Sequence, residues 1–414
     1  MNRRQFLNNT TAAGLAALGL PGTARAAGTP NFVIIFLDDS GWADFKPFGH
    51  PAYPTPNVER LASEASASAV VIDVRSGGVL ALASVPSFEP ASFTGGLRPS
   101  VWKELRDDPR TPLVNKCIRG QYPPGSTFKM MTALAALEAG ITPSYHAFCP
   151  GHLSLGRAVF HCWREHGHGS IAMVQALGQS CDVYFYDLAR RIGVDAIAAM
   201  ATRFGLGGRL GIDLPGEQPG LIPTTAWKKA TLGESWQKGE TLVCGIGQGF
   251  VTATPLQLAV MAARLANGER AVRPWLVAGA EPGEPPPPLD VPQAHLDVVR
   301  AGMREVIHGG RGTARAADPG IPGVEMAGKT GTAQVRRISR ADRAAGRHKR
   351  KDPPWIERDH ALFVCFAPFA APRFAVAVVV EHGMSGSKTA SPIARDIMRR
   401  ALELDPADGQ GEAA

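Results

Sequence analysis

The apolar positions of this chain fall into short runs punctuated by glycine and proline. Ala69 to Val74 and Val79 to Ala83 are two such runs around Ser76-Gly77-Gly78, the pattern of a β-hairpin. From the turn residues Tyr122-Pro123-Pro124-Gly125 the chain enters a stretch rich in Met, Ala and Leu that stops at Gly140, which predicts a helix. Further helices are expected at Val183 to Ile192, at Pro255 to Ala266 closed by Asn267-Gly268, and at His295 to Ile307 closed by His308-Gly309-Gly310. Ala361 to Pro368 and Phe374 to Glu381 are apolar runs suited to paired central strands that follow a strand at Lys329-Thr330-Gly331, and Ala390 to Leu404 fits a last helix. Glu284 to Pro288 reads as a proline-rich surface linker.

The N-terminus follows a different pattern. Asn-Arg-Arg-Gln-Phe-Leu at residues 2 to 7, a mildly apolar stretch from Ala12 to Leu20 and Ala24-Arg25-Ala26 are the n-region, h-region and cleavage site of a signal peptide over residues 1–26. The paired arginines resemble a twin-arginine export signal, so the product is expected in an exported, periplasmic compartment. The apolar run is too short to span a bilayer, and no other stretch approaches the ~18 apolar residues a span requires. Pro30 to Leu61, with Asp38 and Asp39 ending an apolar strand, resembles the start of the sulfatase family, where such a pair helps hold calcium. The Cys-x-Pro-x-Arg or Ser-x-Pro-x-Arg nucleophile of that family is missing, so residues 27–65 read as a stub without its chemistry.

Composition narrows the classes. With 414 residues, 44% hydrophobic and 20% charged, the chain can bury a sizeable core and is not a low-complexity protein. Its net charge of +7 has one source: Arg336 to Lys351 holds eight basic residues against the single acid Asp342. A basic run without interleaved aromatics reads as a solvated loop, so no nucleic-acid partner is expected; attraction to anionic cell-wall polymer or lipid head groups is its functional alternative. Six cysteines are too few for a disulfide scaffold of this length, and residues 405–414 have the composition of a disordered tail.

The candidate chemistry starts at Ser126. Ser126 at a helix start with Lys129 three residues on places both side chains on one face, within mutual reach. A serine hydroxyl becomes a good nucleophile only when a neighbouring base takes its proton, and a lysine serves if desolvation or a second cation lowers its pKa. Taken alone, a serine there is more often an N-cap. Two further motifs follow in order: Ser180-Cys181-Asp182, 54 residues on, and Lys329-Thr330-Gly331-Thr332, beginning 203 residues after Ser126. The ordered set is the signature of serine β-lactamases and penicillin-binding proteins.

The flanks PPGSTFK, DLPGE (Asp213 to Glu217), GIGQG (Gly245 to Gly249), TPLQLA (Thr254 to Ala259) and AGKTGTAQ resemble the transpeptidase domain of the class B penicillin-binding proteins of cell elongation, penicillin-binding protein 2, over about residues 66–404. The resemblance implies an α+β, β-lactamase/transpeptidase-like fold, an antiparallel sheet flanked by helices with a helical subdomain. It implies that Ser126 attacks the D-Ala-D-Ala carbonyl of a peptidoglycan stem peptide with Lys129 as general base, and that Ser180 and Lys329 shuttle the proton to the leaving D-alanine. The Ser126 and Thr332 N–H groups would form the oxyanion hole, and Thr330 and Thr332, with Gly331 between them, would receive the substrate carboxylate. It further implies acylation by β-lactams and partners in an elongation complex, including a glycosyltransferase, for proteins that are membrane-anchored with a periplasmic domain. Asp182 stands where many relatives carry Asn; its carboxylate should favour charged Lys129. The competing readings are a β-lactamase-like hydrolase or sensor, and a truncated or fused, non-catalytic penicillin-binding scaffold.

Cys149, Cys162, His168 and Cys181 lie between or within the first two motifs. Three thiolates and an imidazole can complete a closed tetrahedral zinc site; a Cys149–Cys162 disulfide or buried free thiols are the alternatives. Resemblance favours zinc, since some family members carry one near the active site, with the middle residue of the second motif as a ligand. Cys117, Cys244 and Cys365 read as core residues.

Overall fold

The computed structural model describes residues 64–88, 96–276, 284–336 and 353–404, with positions 61, 93 and 345. The signal peptide, nearly all of the sulfatase-like stub, most of the basic run and the tail lie outside these residues. The chain divides into two units, Met1–Phe32 with Leu404–Ala414, and Val33–Glu403; all that follows concerns the second.

The hairpin forms as its turn chemistry predicts. β1 (Ala67–Asp73) and β2 (Val79–Val85) pair antiparallel, with Gly77 at φ +81 and the Asp73 carboxylate accepting from the N–H groups of Arg75 and Ser76. β7 (Ala327–Ala333), β8 (His360–Ala367) and β9 (Phe374–Val380) complete one antiparallel sheet in the order β2-β1-β9-β8-β7. The hairpin therefore joins the far end of the chain, Ala67 pairing with Val380.

Both faces of this sheet are covered. Successive side chains on a strand point to opposite faces. Leu362, Val364, Phe366, Ala375, Ala377 and Val379 enter the main core, shared with the Pro255–Asn267 helix, while the Ser391–Glu403 helix also packs on β8 and β9. Each fully buried Val or Leu contributes roughly 1.5–3 kcal/mol, which is why β8 and β9 read as unbroken apolar runs. The Pro255–Asn267 helix starts in a full capping box, with the Thr254 hydroxyl accepting from Gln257 N–H and the Gln257 carboxamide accepting from Thr254 N–H, and ends at Gly268 in the left-handed region.

Between the Lys129–Glu138 and Met173–Gly178 helices lie two small sheets, β3 (Ala147–Cys149) with β6 (Gly169–Ile171) and β4 (His152–Leu155) with β5 (Ala158–His161). Among the described residues no helix is long and apolar enough to cross a membrane.

Candidate active site

Ser126 sits on a turn clamped between two other motifs. Gly125 has φ +53, donates its N–H to Gly247 O at 2.8 Å, and lies so close to β7 that a Cβ there would be 2.5 Å from Thr332 O. Only glycine fits such a left-handed, backbone-to-backbone contact. The GIGQG segment closes the other side, where Gln248 Nε2 donates to Thr332 O at 2.9 Å. One 3₁₀ turn, Gly125–Phe128, carries Ser126 and passes into the Lys129–Glu138 helix, so the predicted helix begins with a tighter turn than expected. The Ser126 side chain is partly exposed and Lys129 fully buried.

Ser180, Cys181 and Asp182 link the Met173–Gly178 and Asp182–Ile192 helices. Ser180 has φ +54, a left-handed conformation that costs a non-glycine residue about 1–3 kcal/mol and clusters at functional sites. Its hydroxyl lies between both candidate lysines: Lys129 Nζ donates to Ser180 Oγ at 3.2 Å and Lys329 Nζ donates to it at 3.0 Å.

Lys129 is also ion-paired with Asp182 at 2.7 Å and donates to Ser180 O at 2.9 Å. An ammonium has three protons, so Ser180 Oγ, Ser180 O and Asp182 use all of them. No hydrogen bond joins Lys129 Nζ to Ser126 Oγ among the described residues. The sequence places these two side chains on one face; the structure gives the lysine's donors to the second motif. Burial, and then the nearby Lys129 charge, push the Lys329 pKa well below the ordinary lysine value, with Asp182 opposing. One lysine paired with a carboxylate and one lysine driven toward neutrality thus share a single hydroxyl.

Of the substrate-binding candidates, Thr332 is exposed, whereas Thr330 is buried with its Oγ1 3.1 Å from Thr313 Oγ1. Gly331 packs against the nucleophile turn, its Cα hydrogen side facing Pro124 O and Thr127 Cγ2.

The four metal candidates converge. Ligand atoms of Cys149, Cys162, His168 and Cys181 lie within 4.8 Å of one another, and His168 Nδ1 is 3.6 Å from Cys149 Sγ and 3.5 Å from Cys162 Sγ. Zinc bonds of about 2.0 Å to nitrogen and 2.3 Å to sulfur at a tetrahedral angle separate the two donors by about 3.5 Å. The donor set and its spacing therefore fit zinc. β3 supplies Cys149, whose carbonyl accepts the His168 N–H at 3.0 Å, Cys162 follows β5 and donates its N–H to Gly151 O at 2.8 Å, and Cys181 comes from the link between the Met173–Gly178 and Asp182–Ile192 helices. Hydrogen bonding from Cys181, and then from His168, lowers the Cys162 thiol pKa against its burial, whereas burial raises that of Cys149 and the hydrogen bond to Cys162, followed by burial, raises that of Cys181. All six cysteines are free, so the Cys149–Cys162 disulfide is not formed. Cys117, Cys244 and Cys365 are buried, and desolvation raises each thiol pKa.

Two residues escaped the sequence reading. Trp163 is 61% exposed, yet its Nε1 donates to Gln179 O and Ser180 O, both at 3.1 Å, and its N–H donates to the Asp182 carboxylate at 2.9 Å. A large aromatic in the polar stretch HCWREHGHG was the available signal. Thr313, partner of Thr330, had none.

Residues 67–399 match the family model described as penicillin binding protein transpeptidase domain. The chain is 39% identical over 341 residues to the peptidoglycan D,D-transpeptidase MrdA of Acinetobacter baumannii, covering 78% of this chain and 49% of that protein. To MrdA of Escherichia coli K12 it is 36% identical over 373 residues, covering 86% and 57%. The chain thus spans about half the length of the curated relatives it matches. Among solved structures, PBP2 of Pseudomonas aeruginosa in complex with WCK 5153 superposes with a TM-score of 0.74 at 40% identity, covering 84% of this chain and 73% of that one. The complex of PBP2 with MreC from Helicobacter pylori gives 0.76 at 30% identity, with 84% and 62% covered.

Proposed function

This chain belongs to the penicillin-binding protein transpeptidase family, and on that premise we propose that it is a peptidoglycan D,D-transpeptidase of the cell-elongation class. The observation that carries the reading is the partly exposed Ser126 on a turn locked against the Lys-Thr-Gly strand, in the same motif as buried Lys129, which shares the Ser180 hydroxyl with buried Lys329. Ser126 Oγ attacks the D-Ala-D-Ala carbonyl, a C–O bond forms, and the C–N bond breaks as D-alanine leaves with a proton on its amine. Lys129, as general base, can take the Ser126 proton only after giving one up. Ser180 Oγ links it to Lys329, whose depressed pKa leaves a free lone pair to receive that proton. Lys329 and Ser180 then return it to the leaving amine. Backbone N–H groups of Ser126 and Thr332 form the oxyanion hole, and the exposed Thr332 hydroxyl, helped by Thr330, takes the donor carboxylate.

Cys149, Cys162, His168 and Cys181 would hold zinc, which when bound supplies a rigid tetrahedral tie between the two small sheets and the second motif. Since Cys181 lies between Ser180 and Asp182, a metal held there would fix the backbone that aims both side chains. Because the N-terminal segment resembles a twin-arginine signal, the domain works in the periplasm. MreC-like and glycosyltransferase components of an elongation complex are its proposed partners, on the analogy of the Helicobacter pylori assembly.

The test is a reaction of the purified chain with a D-Ala-D-Ala donor peptide and an amine-bearing stem peptide, followed by mass spectrometry. Cross-linked product with D-alanine release, lost in Ser126→Ala, supports the reading; hydrolysis alone marks a hydrolase, and no reaction marks a scaffold.

A further inference from the structure

Tyr122, Pro123 and Pro124 lead into the nucleophile turn, and the two prolines make this stretch stiff. A proline has no N–H to donate and a nearly fixed φ, so the placement of the pair depends on what holds its two ends. One end is the Gly125 N–H, bound to Gly247 O. The other is Tyr122, which exchanges backbone hydrogen bonds with Ala253, both at 2.9 Å.

The Tyr122 side chain reaches a carboxylate that the catalytic scheme does not use. Its buried hydroxyl donates to Glu381 Oε1 at 2.8 Å, and the buried Ser66 hydroxyl donates to Oε2. Glu381 directly follows β9, Ser66 directly precedes β1, and the Glu381 N–H donates to Ser66 O at 2.8 Å. The carboxylate is thus held through its own backbone and one oxygen, and the other oxygen serves Tyr122. Burial, and then the Glu381 charge, push the Tyr122 pKa up, so the phenol keeps its proton and remains a donor. Burial lowers the pKa of Lys116, and the Glu381 charge is the strongest influence opposing that, which gives the carboxylate a buried counter-charge. The ring itself is confined. A Cβ at Gly120 would lie 2.5 Å from the Tyr122 hydroxyl oxygen, and the ring meets His360 edge-on with centroids 5.4 Å apart. His360 pairs with Ala333, the neighbour of Thr332 on β7.

We propose that Glu381 is a positioning residue for acyl transfer: by holding the Tyr122 hydroxyl it sets the stiff segment that aims Ser126. The inference rests on Ser126 being the nucleophile, and it gives Glu381 no contact with substrate. Misplacing a reacting atom by about 1 Å can cost about 100-fold in rate, so an anchor four residues before Ser126 is close enough to matter.

Stopped-flow labelling with a fluorescent penicillin gives the limiting acylation rate constant and the half-saturating concentration, and its end-point counts the fraction of each protein able to react. The proteins are wild type, Tyr122→Phe, Glu381→Met, Glu381→Gln and the Tyr122→Phe, Glu381→Met double variant. Tyr122→Phe and Glu381→Met should each lower the rate constant of the reactive fraction about tenfold, the scale of one hydrogen bond to a charged group, with the half-saturating concentration within about twofold of wild type. The double variant should be no slower than Glu381→Met, because both changes cut the same link. Glu381→Gln keeps an oxygen for Tyr122 and offers its NH₂ to the Ser66 hydroxyl oxygen, so it should recover most of the loss. A bond that only stabilised the fold would shrink the reactive fraction and leave its rate constant unchanged. That result in Tyr122→Phe, effects that multiply in the double variant, or a Glu381→Gln protein as slow as Glu381→Met overturns the inference. A wild type that takes no label refutes Ser126 as the nucleophile and the inference with it, a result distinct from labelling at unaltered rates.

Discussion

Asp182→Asn changes one atom and should cost more than that suggests. The Asp182 carboxylate accepts twice, from Lys129 Nζ at 2.7 Å and from Trp163 N–H at 2.9 Å, through different oxygens. An asparagine has one oxygen and one NH₂, so one of these two donors must face another donor. If the oxygen stays on Lys129, the Trp163 N–H is left unsatisfied; if it turns to Trp163, a fully buried ammonium loses its acceptor and its counter-charge. An unsatisfied buried donor costs about 1–3 kcal/mol, and removing one partner of a buried ion pair about 3–5 kcal/mol. The retained hydrogen bond offsets part of this, which gives about 2–4 kcal/mol for the variant. Chemical denaturation of wild type, Asp182→Asn, Lys129→Met and the double variant, at equal metal content, measures it. The cycle should show coupling of at least about 1 kcal/mol, because removing Lys129 frees the asparagine oxygen for Trp163. An Asp182→Asn protein within about 0.5 kcal/mol of wild type, with no coupling, would refute the two-acceptor account.

Gly125→Ala places a Cβ 2.5 Å from Thr332 O at φ +53, so the nucleophile turn must lift off β7; penicillin acylation should fall by at least about 100-fold, the scale of misaligning reacting groups, as stopped-flow labelling would show. Lys329 carries the pH dependence. Its pKa is pushed below the lysine range, so its neutral, proton-accepting form is lost as pH falls through that lowered value, and the acylation rate should plateau well below about pH 10. A rate that climbs only near the ordinary lysine pKa contradicts this. Trp163→Phe keeps the ring and removes the indole donor to Gln179 O and Ser180 O, so acylation should slow about tenfold from a loss of ~1.4 kcal/mol while zinc content stays unchanged. Cobalt added to the metal-free protein should give thiolate charge-transfer absorption that Cys162→Ser reduces, and its absence would reject the tetrahedral site.

Much of this molecule was legible where the signal is local. The hairpin around Ser76-Gly77-Gly78, the capped helix after Thr254 and the apolar strands β8 and β9 are each specified by turn residues, caps or unbroken runs within a few positions. The pairing of Ala67 with Val380 was not, since nothing in either segment encodes a partner at the other end of the chain. The same division holds at the site. Ser126, Ser180 and Lys329 stand in fixed short motifs; the four metal candidates share one stretch, where residue type made a zinc site conceivable and the family resemblance favoured it. Where the Lys129 protons go depends on the left-handed backbone at Ser180, which a sequence motif does not show. Trp163 and Thr313 act through hydrogen bonds to residues named by motif, and only the folded backbone brings them there. The glycine-rich GIGQG segment had a recognisable pattern without a stated job; its contact with Gly125 and Thr332 provides one.

The central claim is that Ser126 is the nucleophile of a penicillin-reactive acyl transferase. Intact-mass measurement after incubation with a penicillin tests it most directly, followed by peptide mapping of the adduct. The account predicts one adduct per chain, located on Ser126 and absent from Ser126→Ala; an adduct that persists in that variant, or none in wild type, would contradict it.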